Sequence, residues 1–351
     1  LGSASIEIEI VQKRAKQPPL RLLFSGDIGP DNKLFHPDPE APNNFDYVIC
    51  ESTYGGRRRQ RVTPEERRQI LADEVNKAHA NGGVLLIPIF AVERTQELIT
   101  DLLELQETGQ TTESEIFLDS PLAIRVTGEF QKHADDLEDW SGHQQLLRRA
   151  NVHPTLTADE SKKLNYITEG AIILAASGMC DAGRIRHHLR HRLWNRETTV
   201  LFVGYQAPGT LGRLLVDGTK NVKIQGQEVR VQADIRNIEV YSGHADGAEL
   251  VTWINERKPV KRALFLVHGE EKSRTALASD LIETGFSQER IISPELDEKI
   301  DLLTEPCRRI GKPSEQRLPP EAIGEFDWHN ELAEFSFELR EAFEQAADKK
   351  G

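Results

Sequence analysis

The 351-residue chain carries 44 basic and 57 acidic side chains, a formal net charge of −13, with 38% hydrophobic and 29% charged residues. This is the balance of a globular protein with a large core, in two domains or one elaborated domain, and it argues against a generally basic nucleic-acid footprint while leaving a local groove open. The longest apolar runs, such as VLLIPIFAV (84–92), are too short for a bilayer, so no membrane association is expected, and three cysteines fit reduced thiols in a cytoplasmic protein better than a disulfide framework.

The chain opens LGSASIEIEIV, with strand-like alternation, no basic leader segment and no initiator methionine; Met179 is its only methionine. That opening reads as the middle of a domain. IEIEIV (6–11), LRLLFSGD (20–27) and FDYVICES (45–52) are predicted strands, the last two ending in polar loops. TPEERRQILADEVNKAHANG (63–82) predicts a helix with Thr63 as N-cap, Pro64 in the first turn, Glu66 at the capping-box position and Asn81-Gly82 as the stop. A buried strand (83–90), a helix from Glu93 to Leu105 and a strand, EIFLDSP (115–121), follow. Residues 122–163 read as helical with polar breaks.

GAIILAASG (170–178) and TTVLFVGYQ (198–206) are further predicted strands around a basic helix, GRIRHHLRHRL (183–193). Continuous apolar strands alternating with helices predict a mainly parallel sheet covered on both faces. Between 221 and 243 polar and apolar residues alternate, as in half-exposed antiparallel strands. A helix from Gly247, the strand RALFLVHG (262–269) and a helix over 272–285 complete the regular part. The segment 305–324 is rich in Pro, Arg and Glu, and 331–350 reads as an amphipathic helix. The expected organisation is therefore an inserted parallel α/β unit, 57–220, between two segments of one other domain, 1–56 and 221–300, with a C-terminal linker and helix at 301–351.

Asp27 and Glu51 each close a strand, as does His268, and His244 stands in SGHAD before a helix. Taken singly, each is an ordinary cap or turn residue. Together they are the oxygen and nitrogen donors of a hydrolytic zinc centre, with acidic groups placed beyond strand ends where α/β proteins often hold their chemistry. A zinc site needs at least three protein ligands, so the set is half of a site.

The ordered motifs SGDIG, ICESTYG, PIFAVERTQEL (88–98), FLDSPLA (117–123), ASGMCDAGRIRHHL (176–189), FVGYQAPGTLGR (202–213), YSGHAD (241–246) and LVHGE (266–270) resemble the metallo-β-lactamase superfamily over nearly all of 1–290. Within it the chain resembles the RNA-processing branch that carries a β-CASP insertion. The resemblance implies a partial αββα metallo-β-lactamase fold with an inserted parallel-sheet β-CASP domain. It also implies two Zn2+ ions bridged by Asp27 and bound by His268, with Glu51 supporting the ligands and His244 near the scissile phosphate as general acid or phosphate-stabilising group. The expected activity is that of a zinc-dependent phosphodiesterase cleaving single-stranded RNA, as an endoribonuclease. The alternatives are a 5′–3′ exoribonuclease of the same branch and a metal-free RNA-binding or scaffold protein.

Ser177, Arg184, Arg186 and Ser242 are weaker candidates for the RNA path, as are the arginines at 58, 59 and 61; a solvated basic face is the plainer reading. Family members also carry an HxHxDH cluster and a further histidine. Neither is found here, and residues 1–5 resemble the segment just after that histidine. The resemblance thus implies a chain that lacks the N-terminal portion of its domain, binds zinc poorly and is inactive by itself, unless a separate N-terminal chain or fragment completes the site. A homodimer through the tail or the closing helices is a further expectation.

Overall fold

The computed structural model describes residues 3–11, 18–31, 33–35, 37–59, 62–137 and 146–311; the helix expected at 331–350 and Arg61 lie outside them. In chain order the first elements are β1 (Ile6–Ile10), β2 (Leu20–Phe24), β3 (Phe45–Glu51), α1 (Pro64–Asn81), β4 (Leu85–Ile89), α2 (Arg94–Glu107) and β5 (Glu115–Asp119). Then come α3 (Pro121–Lys132), β6 (Val152–Pro154), α4 (Ala158–Lys163), β7 (Ala171–Ala176), α5 (Ile185–Arg192), β8 (Thr199–Phe202) and α6 (Leu211–Val216). The remainder is β9 (Asn221–Ile224), β10 (Gln227–Arg230), β11 (Asp234–Asn237), α7 (Gly247–Glu256), β12 (Val260–Val267), α8 (Glu271–Glu283), β13 (Ile291–Ile292), β14 (Ile300–Asp301) and β15 (Arg308–Arg309). Among the described residues no helix is long and apolar enough to cross a membrane.

The chain's described residues divide into two compact units, residues up to 59 with 243–311, and residues 62–242. The first unit is built on a five-stranded sheet of order β1-β2-β3-β12-β13. Only the β1–β2 pair is antiparallel; β2, β3, β12 and β13 run parallel. Strand alternation divides its side chains between two cores. Leu23, Val48, Cys50, Leu264 and Leu266 join Leu250, Ile254, Leu277 and Leu281 of α7 and α8. Leu22, Tyr47, Ala263 and Phe265 face the other way, with Ile300 and Leu302 packed on them. The edge strand β1 leaves Ile6, Ile8 and Ile10 exposed, beside Phe24, which pairs with Ile6.

The second unit contains an all-parallel six-stranded sheet, order β11-β8-β4-β7-β5-β6. Its inner strands β4 and β8 are buried at every position, as the continuous apolar runs predict for a sheet covered on both faces. The β4–β8 ladder ends at Leu86, two residues before Pro88, which has no N–H to give it. Leu86, Ile173, Val200 and Phe202 pack with Ile185, Leu189 and Leu193 around α5. The Thr63–Glu66 capping box forms as the sequence predicts, and Gly82 closes α1 at φ 86°.

The boundary expected at 220 falls inside this unit. β9 and β10 form the expected antiparallel hairpin, but β11 runs parallel to β8 and extends the six-stranded sheet, so the chain leaves it only after Ser242. A buried ion cluster also sits here: Arg67 Nε donates to Asp101 Oδ2 at 2.9 Å, and Tyr241 Oη donates to the same oxygen at 2.6 Å.

Ile173 is fully buried in β7 between β4 and β5. Ile173→Ala should cost about 2–5 kcal/mol, read as a lower urea midpoint for the unfolding of the second unit.

Candidate metal centre

β2, β3 and β12 are neighbours, and all three run in the same direction. Their carboxyl ends therefore meet at one edge, which is how residues more than 200 positions apart converge. Asp27 follows β2, Glu51 is the last residue of β3, and His268 follows β12, whose Val267 stands beside Glu51. His268 adopts φ 50°, a left-handed backbone that few non-glycine residues take up. Its carbonyl is held by Ser52 N–H at 3.2 Å and Thr53 Oγ1 at 3.1 Å. The next residue has to be glycine, because a Cβ on Gly269 would lie 2.5 Å from the Ser52 carbonyl oxygen.

His244 arrives from the loop ahead of α7. Asp246 caps that helix, its Oδ1 accepting from Ala248 and Glu249 N–H at 2.9 and 3.0 Å, and Ala245 N–H donates to Ile28 O at 2.7 Å. These bonds bring the imidazole to Glu51: His244 Nδ1 lies 3.0 Å from Glu51 Oε1. The same carboxylate accepts from Ile28 N–H at 2.8 Å and Thr53 N–H at 3.2 Å. Glu51 is only 2% exposed. Burial raises its pKa, but the hydrogen bond and charge of His244, with the two backbone donors, outweigh burial and hold the carboxyl below its ordinary value.

Asp27 and His268 form the outer half, with Asp27 Oδ1 and His268 Nδ1 3.2 Å apart and both side chains more than half exposed. Asp27, Glu51 and His244 bring ligand-type atoms within 4.8 Å of one another, and the His244 and His268 rings lie 5.9 Å apart. Carboxylate oxygen and imidazole nitrogen are the donors zinc takes, so the set fits that metal. Within it Glu51 has its oxygens engaged by donors, whereas Asp27 and His268 stand at the accessible side.

The second unit holds the other sequence candidates. Ser177 follows β7, and Ser242 is buried. Arg184 Nη1 donates to Asp119 Oδ1 at 2.9 Å and to Thr155 O at 3.0 Å, and its Nη2 donates to Leu156 O at 2.9 Å. Arg186 and His188 are buried as well, and Arg192 caps the carbonyls of Ile167 and Leu164. Much of the basic helix is thus turned inward. Its focus is Asp119, at the end of β5, whose Oδ2 also takes Ser161 Oγ and His188 Nε2, each at 2.6 Å. Sequence reasoning quoted FLDSPLA without singling out Asp119; an acid closing an apolar strand was the available signal.

Two family models match the chain. Residues 95–215 match the Beta-Casp domain, and residues 228–294 match the Zn-dependent metallo-hydrolase RNA specificity domain. The chain belongs to the β-CASP branch of the metallo-β-lactamase superfamily. Its fold is a partial metallo-β-lactamase α/β fold with an inserted parallel-sheet β-CASP domain. Among curated relatives it is 36% identical over 271 residues to a ribonuclease of Thermus thermophilus, covering 75% of this chain and 61% of that one. It is 30% identical over 299 residues to the transcription termination factor FttA of Methanothermobacter thermautotrophicus, with 81% and 45% covered. An RNase J-like protein of Methanocaldococcus jannaschii is 29% identical over 286 residues, with 81% and 65% covered. The chain spans less than two thirds of the length of each of these relatives.

Asp119 gives a pH prediction. Burial raises its pKa, but His188, Ser161 and Arg184 outweigh that and leave it below its ordinary value. A carboxyl depressed on folding contributes stability that is complete above its unfolded value, about 3.9, and is lost as pH falls through the lower folded value. Urea midpoints measured from pH 7 to pH 3 should fall on the acid side, and less steeply in Asp119→Asn.

Proposed function

We propose that the chain is part of a metal-dependent enzyme that cleaves RNA phosphodiester bonds. The observation that carries this reading is the meeting of Asp27, Glu51, His244 and His268 at one sheet edge in a chain that matches an RNA-specificity domain of zinc-dependent metallo-hydrolases. Asp27 and His268 would hold the metal from this chain, with two zinc ions in the complete centre. A bound metal would supply Lewis acidity toward a phosphoryl oxygen and a water nucleophile near neutral pH.

The chain's own residues do the rest. Glu51 fixes the His244 ring through Nδ1, so His244 meets substrate through Nε2. When doubly protonated, the ring gives a proton from Nε2 to the leaving oxygen, and Glu51 keeps it in place for that transfer without reorganisation. Asp119 and the carbonyls at 155 and 156 hold Arg184 beyond β5 and β6 of the parallel sheet. The 17% of its side chain that stays exposed is what Arg184 offers to a phosphate, beside Ser177, whereas Arg186 and Ser242 are buried and would serve by holding the local fold.

Of the two modes of cleavage, the relatives' names lean away from a simple endoribonuclease and toward the 5′–3′ exoribonuclease, since one is RNase J-like and several are transcription termination factors. The test, run on the protein with its metal centre completed, is cleavage of an internally labelled RNA with a 5′ monophosphate, with metal content measured on the same preparation. Release of mononucleotides from the 5′ end supports the exonucleolytic mode, and internal fragments would support the endonucleolytic one. Asp27→Ala and His268→Ala should each lower bound zinc at least tenfold and reduce cleavage in parallel. Full metal content in both variants, or RNA neither bound nor cut by the metal-loaded protein, would overturn the reading.

A further inference from the structure

His244 is held by more than Glu51. Arg59 lies 185 positions upstream, in the basic run of Arg58, Arg59 and Arg61 that the sequence offered only as a weak candidate. Its neighbour Arg58 does face outward, 69% exposed and 3.3 Å from Asp280. Arg59 turns in, with 16% of its side chain exposed. Its Nη2 donates to the His244 carbonyl oxygen at 2.5 Å and lies 3.4 Å from Glu249 Oε2. Its backbone N–H donates at 2.8 Å to Asp246 Oδ2, the second oxygen of the carboxylate that caps α7. The guanidinium sits 5.3 Å over the ring of Tyr54, and that fully buried ring meets His244 edge-on, with centroids 6.2 Å apart at 75°.

We propose that Arg59, seated over Tyr54, is the positioning residue for His244. Glu51 fixes one ring nitrogen but leaves the backbone of a glycine-flanked loop to be held by something else. Arg59 holds the carbonyl, Ile28 holds the next N–H, and Tyr54 closes the flank of the ring. Arginine suits this place because a guanidinium whose Nη2 meets both a carbonyl and a carboxylate also stacks on an aromatic face, whereas a lysine ammonium reaches the oxygens as a single point charge without that planar stacking. Tyr54 follows Glu51 by three residues, so ESTY supplies both the group that orients the ring and the surface it rests on. This proposal rests on the reading of His244 as the residue that meets substrate.

The test is 15N–1H spectroscopy of histidine side chains in the full chain, with the His244 signals assigned by their loss in His244→Gln. The wild-type ring should show a single tautomer, with the proton on Nδ1 facing Glu51. Arg59→Met keeps an apolar stem over Tyr54 and removes the fork. It should replace the single-tautomer pattern of His244 by an average of both tautomers, leave the signals of His79 and His153 in place, and be partly rescued by Arg59→Lys. An unchanged His244 in Arg59→Met, or a change spread equally over all histidines without rescue, overturns the proposal. The spectra are read without RNA, so an unaltered His244 leaves the RNA-cleaving reading standing, and a protein that fails to cleave RNA leaves the bracket standing.

Discussion

The site depends on one buried carboxylate that is supplied with donors on every side. Glu51 at the end of β3 takes the N–H of Ile28 from the strand on one flank, the N–H of Thr53 from its own loop and the imidazole of His244 from the loop before α7. A carboxylate left bare at this depth would be costly enough to neutralise itself. Surrounded in this way it stays ionised and ties three chain segments together. The strand order makes this possible, because parallel neighbours deliver their ends to one edge and the loops there need travel only the width of a strand or two.

Much of this could be read in the sequence. Strand ends marked by Asp27, Glu51 and His268 were visible as apolar runs stopping at a polar residue, and parallel pairing of those runs brings them together. The capping box of α1 was legible because Thr63 and Glu66 act within a single turn. What could not be read depends on distant partners. Arg59 and Arg58 are adjacent and chemically identical, yet one faces inward over a tyrosine and the other pairs at the surface. Where the chain leaves the parallel sheet depends on distant partners too: the change to alternating polarity is real in β9 and β10, but β11 then adds to that sheet through pairing that no local pattern announces.

The basic helix α5 shows how charge can mislead. A run of arginines and histidines on a short helix suggests a surface for polyanions. In the fold, Arg184 and Arg192 instead satisfy carbonyls in the segments around β6 and β7, and His188 completes a cluster with Asp119 and Ser161. Irregular connections leave backbone oxygens without partners, and long cationic side chains are well suited to reach them. The chain can therefore be rich in arginine here and still offer little free positive charge.

Cys50 is the residue immediately before Glu51 in β3, fully buried and packed among Val48, Leu264 and Leu266. Pleating sends consecutive side chains to opposite faces, so the sulfur lies in the core while the carboxylate next to it faces the strand-end loops. Burial also pushes the thiol pKa well up, keeping it protonated. The soft donor next to Glu51 is thereby kept away from the strand-end loops. Among the described residues the ligand-type atoms that Asp27, Glu51 and His244 bring together are the oxygen and nitrogen donors that suit zinc and not the thiolates that copper(I) and iron–sulfur clusters prefer.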